Sequence, residues 1–407
     1  MTARVHPGAG RAAEFFAGMG LVRRALESGP AGGRWETVFA NDLAPSKCRV
    51  YRAWFGEDAL HEGDVAALGA GDIPAAELWT ASFPCTDLSL AGRGAGIHAG
   101  QSGAVWALLG LLGDTSEERK PRWVLFENVP ALLTSHGGAD VRALVRALND
   151  VGYGVDPLLV NASRFTAQSR ARVFLIATKH EDAPAAGDGV APAHAARPES
   201  VERVVRANPD LVWHGRRLPA LLERGSALAG VFEPLPPDDP RWWPADRRAY
   251  FLNQIHPGHQ ALARRLTGGE HIERRTAFRR VRAFDGVKRS VIELRDDGLA
   301  GCLRTPKGGS AKQIVFEAGR GASRVRFMTA LEAARLQGVT QTLPDGFSET
   351  ELLFALGDAV CVPAVRWVLD AILGRDQTAA GAPATMAAVE EQPRRSAPAS
   401  IIATASS

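Results

Sequence analysis

A cysteine that directly follows a proline is the strongest candidate for a reacting group in this sequence. Cys85 follows Pro84 after an apolar run, and its neighbours Thr86, Asp87 and Ser89 are polar. A cysteine packed as a small apolar side chain is the usual alternative, but these neighbours do not suit a core. A reactive thiolate needs a polar, partly exposed site. Because proline fixes φ and ends strand pairing, the sequence predicts a thiol on a stiff loop after a strand.

Side chains that could assist this thiolate occur in two later segments. Glu127 and Asn128 end an apolar strand-like run, where an acid is a plausible acid/base partner for Cys85. Arg170 and Arg172 alternate in a later polar segment, and a guanidinium group suits a phosphate or a base oxygen. The alternatives are a helix-capping or solvent-facing glutamate and ordinary surface charge.

The elements that must position these groups begin with a glycine turn. Residues 12–27 read as a strand, a turn at Gly18 and Gly20, and a helix with one apolar face. Such glycines let the backbone approach a ligand, and the helix start offers free N–H groups. The second strand ends in Asp42, where α/β folds bind ribose hydroxyls. Asp64 follows the next connection and suits an exocyclic amine.

Composition sets the class of protein. The 407 residues are 45% hydrophobic and 23% charged, enough for an α/β core and one smaller domain. The net charge of +3 permits a polyanionic partner without requiring one. The four cysteines lie far apart, which predicts neither a metal site nor a disulfide framework. No signal-peptide region and no membrane-spanning stretch is evident in the sequence, so we expect a soluble cytoplasmic protein with no membrane partner.

A basic region lies in the middle of the chain. Residues 241–289 hold twelve Lys and Arg against four acids, the footprint expected for phosphate contact. The Asp285-Gly286 pair predicts a hairpin turn. Strand alternation would then place Arg280 and Arg282 on one face and Arg279 on the other. A solvated basic surface is the alternative interpretation.

Six motifs follow one another along the chain. They are Phe16-Ala17-Gly18-Met19-Gly20, Phe83-Pro84-Cys85, Glu127-Asn128-Val129, Gln168-x-Arg170-x-Arg172, Arg335-Leu336-Gln337-Gly338 and Gly357-Asp358-Ala359-Val360. Their types and order resemble the signature of the DNA cytosine-5 methyltransferases. The resemblance covers about 12–178 and 302–373, and it implies a Rossmann-like S-adenosylmethionine-dependent methyltransferase fold with a smaller target-recognition domain.

The resemblance implies a role for each catalytic candidate. Cys85 matches the nucleophile that adds to C6 of a cytosine flipped out of the duplex. Glu127 matches the carboxyl that contacts N3 and the exocyclic amine. Arg172, with Arg170, matches the guanidinium that orients the base, and Asn128 is expected to brace the Pro-Cys loop.

The same matching assigns two further sets of residues. The residues expected to hold S-adenosylmethionine are Phe16, Gly18, Gly20, Asp42, Leu43, Asp64, Val65, Pro84, Asp358 and Val360. The residues expected to contact DNA are Ser89, Gln168, Arg274, Arg275, Arg279, Arg280 and Arg282. Two positions depart from the family pattern, since Asp358 replaces the usual asparagine and Leu43 a common tryptophan. The Asp358 carboxylate is expected to favour the positive sulfonium of the cofactor over its neutral product.

The predicted organisation is a catalytic domain interrupted by target recognition. The expected segments are 1–180 and 301–374 for catalysis, 181–300 for target recognition and 375–407 for a disordered tail. We expect a monomer that acts on double-stranded DNA, with partner proteins from a restriction or phage-defence system. The alternatives are a tRNA-methylating relative, which usually carries a Cys-Phe-Thr element and a shorter middle, and a silent DNA-binding relative, which would normally lack a catalytic residue.

Overall fold

A computed structural model of the chain describes residues 9–27, 35–84, 103–182, 193–306 and 311–373. The predictions for Cys85, Ser89 and the tail 375–407 concern residues outside these ranges.

The larger part of the fold is a seven-stranded sheet. Its strands are β1 (Gly10–Phe15), β2 (Trp35–Asp42), β3 (Leu60–Glu62), β4 (Leu78–Ala81), β5 (Trp123–Asn128), β6 (Tyr153–Asn161) and β7 (Ala171–Lys179). Their order is β3-β2-β1-β4-β5-β7-β6, and β7 runs antiparallel to both of its neighbours while the other pairs are parallel. This topology confirms the predicted Rossmann-like α/β fold.

Helices cover both faces of this sheet. The helices of the described residues are α1 (Leu21–Glu27), α2 (Pro45–Phe55), α3 (Ala104–Asp114), α4 (Ala139–Asp150), α5 (Glu199–Ala207), α6 (Ala245–Asn253), α7 (Gln260–Gly268), α8 (Ala330–Leu336), α9 (Glu349–Asp358) and α10 (Val362–Ile372), of which α6 and α7 belong to the smaller part of the fold. Successive residues of a strand point to opposite faces, so Ala12 packs with α1, α8, α9 and α10 while Ala13 packs with α3, α4 and α5. Both faces are therefore apolar, as expected for parallel strands.

A second, antiparallel sheet forms the smaller part of the fold. It contains β8 (Glu273–Phe284), β9 (Val287–Leu294), β10 (Ile314–Gly319) and β11 (Ala322–Phe327), in the order β11-β10-β8-β9. The predicted hairpin is confirmed, because Phe284 pairs with Val287 across a turn in which Asp285 and Gly286 have φ values of 49° and 77°. Helices α6 and α7 pack on this sheet through Phe251 and Leu266.

The boundaries of the two parts differ from those predicted. The expected return to the catalytic domain at residue 301 falls too early, because Ile314 of β10 pairs with Ala277 of β8 inside the small sheet. The expected start at 181 also differs, since Ala196 and Phe232 pack in the core beneath the large sheet. Local composition does not reveal which distant strand an apolar segment will pair with.

One apolar stretch among the described residues, Glu349–Ile372, is long enough to cross a bilayer. It consists of α9 and α10, and the backbone between them is extended at Ala359 and Cys361. About two thirds of the stretch is buried inside the protein. These features are those of two core helices.

A buried acid lies in the central strand. Glu14 of β1 is 1% exposed, and neither carboxyl oxygen makes a well-aligned hydrogen bond to another described residue. Burial raises the pKa of this carboxyl from its usual 4.5 to about 8, against the opposing charge of Arg23. The folded protein therefore favours the protonated form.

Glu14→Gln should change how the free energy of unfolding depends on pH. The Glu14 contribution is fully present below the unfolded pKa near 4.5 and is lost as pH rises through 8, at up to about 1.4 kcal/mol per pH unit. Urea unfolding from pH 4.5 to 8.5 should show the variant becoming steadily more stable than the wild type. The exposed Glu57→Gln control should track the wild type, and parallel curves for Glu14→Gln would contradict the assignment.

Candidate active site

The strand register brings the predicted site residues to one edge of the large sheet. Phe15 of β1 pairs with Asn41 of β2 and with Ala81 of β4, and Ala81 pairs in turn with Phe126 of β5. The residues that follow these pairs therefore lie at the carboxyl edge, where such sheets bind ligands. They are Phe16, Asp42, Pro84, Glu127 and Asn128.

The glycine turn and Asp42 form the first wall of this edge. The Gly18 N–H donates to Asp42 Oδ2 at 2.7 Å, and the Ala44 N–H donates to Asp42 Oδ1 at 2.8 Å. Gly18 has a φ of 60°, which favours glycine, and a Cβ there would meet no atom within 4 Å. Gly20 differs, because its Cβ would clash with the Phe55 ring. Gly18 thus borders open space beside a fixed carboxylate, whereas Gly20 permits helix packing.

A second wall combines an apolar side chain with another carboxylate. Leu43 is 64% exposed directly after Asp42, and Asp64 is exposed while accepting a hydrogen bond from the Ala66 N–H at 3.0 Å. Asn41 donates to the Gly63 carbonyl at 2.9 Å, which ties this loop to β2. An apolar surface flanked by two carboxylates suits a nucleoside, whose base is flat and whose hydroxyls and amine donate hydrogen bonds. Val65, predicted for the same wall, is buried.

An acid and a guanidinium group meet at the ends of β5 and β7. Arg172 Nε lies 2.9 Å from Glu127 Oε1, and both side chains are mostly buried. Asn128 donates through Nδ2 to the Phe83 carbonyl at 3.2 Å, two residues before Cys85. The structure therefore brings Glu127 and Arg172 together and connects β5 to the segment that leads to the cysteine.

Two residues of the Gln168-x-Arg170-x-Arg172 motif have structural partners. Arg170 is 3% exposed and donates to the carbonyls of Leu303 at 2.8 Å and Ala359 at 2.6 Å. Gln168 is 0% exposed, donates to the Leu336 carbonyl at 3.0 Å and accepts from the Leu303 N–H at 3.1 Å. The prediction that Gln168 contacts DNA is wrong, because its amide is buried and bonded within the protein. The Arg170 guanidinium group binds backbone carbonyls of the C-terminal segment, so its role in the structure is to hold that segment in place.

Sequence reasoning missed two residues that support this arrangement. Gln337 is buried and donates to the carbonyls of Leu356 at 2.9 Å and Ala359 at 3.0 Å. Cys302 Sγ accepts from Arg170 Nη1 at 3.4 Å. Burial would raise the pKa of the Cys302 thiol, but the guanidinium groups of Arg170 and Arg172 lower it below its usual value. The Arg335-Leu336-Gln337-Gly338 motif could have identified Gln337 from the sequence. Cys302 lies in no recognised motif, so the sequence did not indicate its contact with Arg170.

The last motif, Gly357-Asp358-Ala359-Val360, brings the end of α9 beside the first turn of α2. A Cβ on Gly357 would lie 2.4 Å from the backbone of Arg304 and Thr305, so this close approach requires glycine. The next residue, Asp358, is exposed and lies 2.9 Å from Lys47 Nζ of α2. Val360 is buried, so it can offer a ligand little side-chain surface.

Two of the predicted DNA-contacting arginines are held inside the small sheet. Arg274 Nε lies 2.7 Å from Glu317, which is buried. Arg275 contacts Asp296 at 3.0 Å and Glu273 at 2.7 Å. These ion pairs give both arginines a role in holding the sheet together.

The other three predicted arginines lie along the hairpin. Arg280 and Arg282 share the face that carries Glu293, whose carboxylate is 2.6 Å from Arg282 Nε. Arg279 is on the opposite face, paired with Ile292, and its guanidinium carbon lies 5.9 Å from the Tyr250 ring centroid. The predicted alternation is confirmed.

Fold and site together define a Rossmann-like enzyme with a cleft that suits a nucleoside. The chain belongs to the C-5 cytosine-specific DNA methylase family, whose model matches residues 10–374. Members of this family use S-adenosylmethionine as the methyl donor.

Curated relatives are similar over part of the chain. Orphan methyltransferase M.Rho11sI of Bacillus phage rho11s is 26% identical over 42% of this chain and 33% of its own length. Type II methyltransferase M2.BsuMI of Bacillus subtilis is 38% identical over 27% of this chain and 29% of its own length. Type II methyltransferase M.HhaI of Haemophilus parahaemolyticus is 27% identical over 41% of this chain and 49% of its own length. The matches thus span less than half of each of these relatives.

Solved structures support the fold. The S. pombe Dnmt2 methyltransferase has a TM-score of 0.56 at 16% identity, with 90% of this chain and 98% of that chain covered. The Entamoeba histolytica methyltransferase EhMeth has a TM-score of 0.60 at 13% identity, with the same two shares covered.

Gln168→Ala should lower the free energy of unfolding by about 3 kcal/mol, because buried hydrogen-bonding groups lose their partners. DNA affinity and its salt dependence should stay unchanged wherever the variant is folded. Urea unfolding and DNA titrations at two salt concentrations measure both effects. The exposed control Gln260→Ala should change stability by less than about 0.5 kcal/mol. Wild-type stability together with weakened DNA binding would restore the original prediction for Gln168.

Proposed function

We propose that the protein is a DNA cytosine-5 methyltransferase that acts on a cytosine flipped out of duplex DNA. The observation that carries this proposal is the Glu127–Arg172 ion pair, at 2.9 Å, on the sheet edge that also holds Asp42 and Leu43. A base held between these features would have an acid at its ring nitrogen and the cofactor cleft beside its carbon edge. A stacked base cannot reach such a site, so it must leave the helix.

Cytosine C5 is too weak a nucleophile to take a methyl group directly. In the proposed reaction the Cys85 thiolate adds to C6, and the electron pair of the C5–C6 bond becomes available at C5 while Glu127 supplies a proton at N3. C5 gains the methyl group while the electron pair of the broken sulfur–methyl bond stays on the donor's sulfur. Removal of the C5 proton by water or hydroxide then expels the Cys85 thiolate, and N3 returns its proton to Glu127, which restores the ring. Arg172 orients Glu127 and offers donors to the base oxygen.

The cleft at the strand ends fits the methyl donor of the family. When bound, S-adenosylmethionine supplies an electrophilic methyl group on a sulfonium centre. Asp42 would accept from the ribose hydroxyls, Leu43 would pack on the adenine, and Asp64 would accept from its amine. The open space at Gly18 and the exposure of Leu43 and Asp64 leave room for such a ligand.

The small sheet supplies target recognition in this proposal. Arg279, Arg280 and Arg282 project from two faces of a hairpin whose outer half is exposed. Arginine binds guanine edges in the major groove and also phosphates, so one surface can fix register and read sequence. The names of several relatives are those of type II methyltransferases, which supports a restriction-modification setting. The proposal also includes a cytoplasmic monomer that acts on double-stranded DNA and a link to phage defence.

Cys85→Ala should reduce methyl transfer by about 10⁴-fold or more, because the covalent step loses its nucleophile. Duplex DNA that carries 5-fluorocytosine tests the covalent step, because C5 then carries fluorine in place of the proton that must be removed. The adduct between Cys85 and C6 therefore persists. Denaturing gels should show a trapped complex for the wild type and none for Cys85→Ala. Cys302→Ala is the matched thiol control and should still trap. A complex lost in Cys302→Ala and kept in Cys85→Ala would assign the nucleophile to Cys302.

Single replacement of Arg279, Arg280 and Arg282 by alanine should separate base reading from phosphate contact. Replacing a base-reading arginine should cost roughly 1–3 kcal/mol of binding free energy and relax specificity at one position. Replacing an arginine that contacts phosphate should weaken binding to all sites alike and flatten the salt dependence. Methylation of a randomised-site library at two salt concentrations measures these effects. Wild-type rates, preference and salt slope in all three variants would remove the hairpin from the DNA interface.

A further inference from the structure

A lysine stands at the cofactor edge beside the residue that departs from the family pattern. Lys47 lies in the first turn of α2, five residues after Asp42, and its Nζ is 2.9 Å from Asp358 Oδ2 at the end of α9. Burial would lower the pKa of Lys47, but the charge of Asp358, and then that of Asp42, raises it above its usual value. The ammonium group is therefore charged, and the carboxylate in contact with it is that of Asp358.

The pair remains open to a ligand. The side chains of Lys47 and Asp358 are 27% and 47% exposed, so a molecule in the cleft can approach both charges. A second ion pair also joins α2 to α9, between Arg49 and Glu351 at 3.0 Å. The contact between these helices therefore does not depend on the Lys47–Asp358 pair alone, so this pair can have a role in ligand binding as well.

We propose that Lys47 is a specificity-determining residue of the cofactor site, which neutralises Asp358 and so sets the preference between S-adenosylmethionine and its demethylated product. The proposal rests on the proposed function. A lone Asp358 carboxylate would attract the sulfonium, which the product lacks. Paired with Lys47, it presents two opposite charges that largely cancel for a nearby ligand. This replaces the expectation, based on the sequence, that Asp358 acts as an uncompensated negative charge.

The signs of the effects follow from Coulomb's law. Lys47→Met keeps the unbranched stem of the side chain, removes the ammonium group and leaves Asp358 without this partner, which should raise the preference for S-adenosylmethionine over S-adenosylhomocysteine. Asp358→Asn leaves Lys47 unpaired and should lower this preference. In the double variant both charges are gone, so the preference should return towards that of the wild type. A role limited to holding α2 against α9 would weaken the binding of both ligands alike.

Calorimetric titration of the full-length protein with each of the two ligands measures the ratio of their dissociation constants. We expect the ratio to shift by roughly fivefold or more in opposite directions for the two single variants and to stay within about twofold of the wild type in the double variant. Arg49→Met, which breaks the other ion pair, is the control and should leave the ratio unchanged. Circular dichroism confirms that each variant is folded.

The outcomes separate this proposal from the proposed function. Wild-type protein that binds neither ligand would overturn both. Binding of both ligands with a ratio unaffected by Lys47→Met and Asp358→Asn would overturn the role of Lys47 alone. Equal loss of affinity for both ligands in the single variants would also overturn it, and would reduce the pair to a helix contact.

Discussion

Parallel hydrogen bonding between β1, β2, β4 and β5 fixes where these strands end, and the placement of Asp42 and Glu127 depends on that register. Phe15, Ala81 and Phe126 stand side by side in neighbouring strands. The residues one or two positions later must therefore share an edge, whatever loops follow them. Asp42 and Glu127 come from strands far apart in sequence, yet the sheet holds them on one rigid line. Groups placed at strand ends are positioned more precisely than groups placed on loops.

The second requirement is that the C-terminal segment return to this edge. Buried polar side chains perform that task, since an arginine and two glutamines donate to carbonyls that would otherwise lack partners. Gln168 and Arg170, which precede β7, bond to residues 303, 336 and 359, and Gln337 joins the end of α8 to residues 356 and 359. Burying a guanidinium group without partners is costly, so the carbonyls of Leu303 and Ala359 stabilise Arg170 in the core. Asp358, which follows the segment held by this network, lies 2.9 Å from Lys47 Nζ.

The sequence predicted what depends on local order along the chain. Strand ends, the glycine turn and the Asp285-Gly286 hairpin follow from short patterns, and the structure has all three. The sequence did not predict whether a residue of the Gln168-x-Arg170-x-Arg172 motif is enclosed in the core or lies at the site. Gln168 and Arg172 lie four residues apart in one motif, yet one is enclosed by the core and the other pairs with Glu127.

Contacts between distant segments explain the remaining differences between the predicted and the observed structure. The place of β10 in the small sheet depends on β8, some forty residues earlier. The Lys47–Asp358 pair joins two segments about three hundred residues apart. Neither partner carries a local signal for the other, because the contact exists only once the sheet and its helices have assembled.

The most direct test of the central claim is methyl transfer from radiolabelled S-adenosylmethionine to duplex DNA, compared with tRNA under the same conditions. The account predicts label in duplex DNA, recovered after digestion as 5-methylcytosine, and none in tRNA. Label confined to tRNA would assign the protein to the RNA-methylating branch. Duplex binding without label in either substrate would show a catalytically silent relative, and either result would contradict the account.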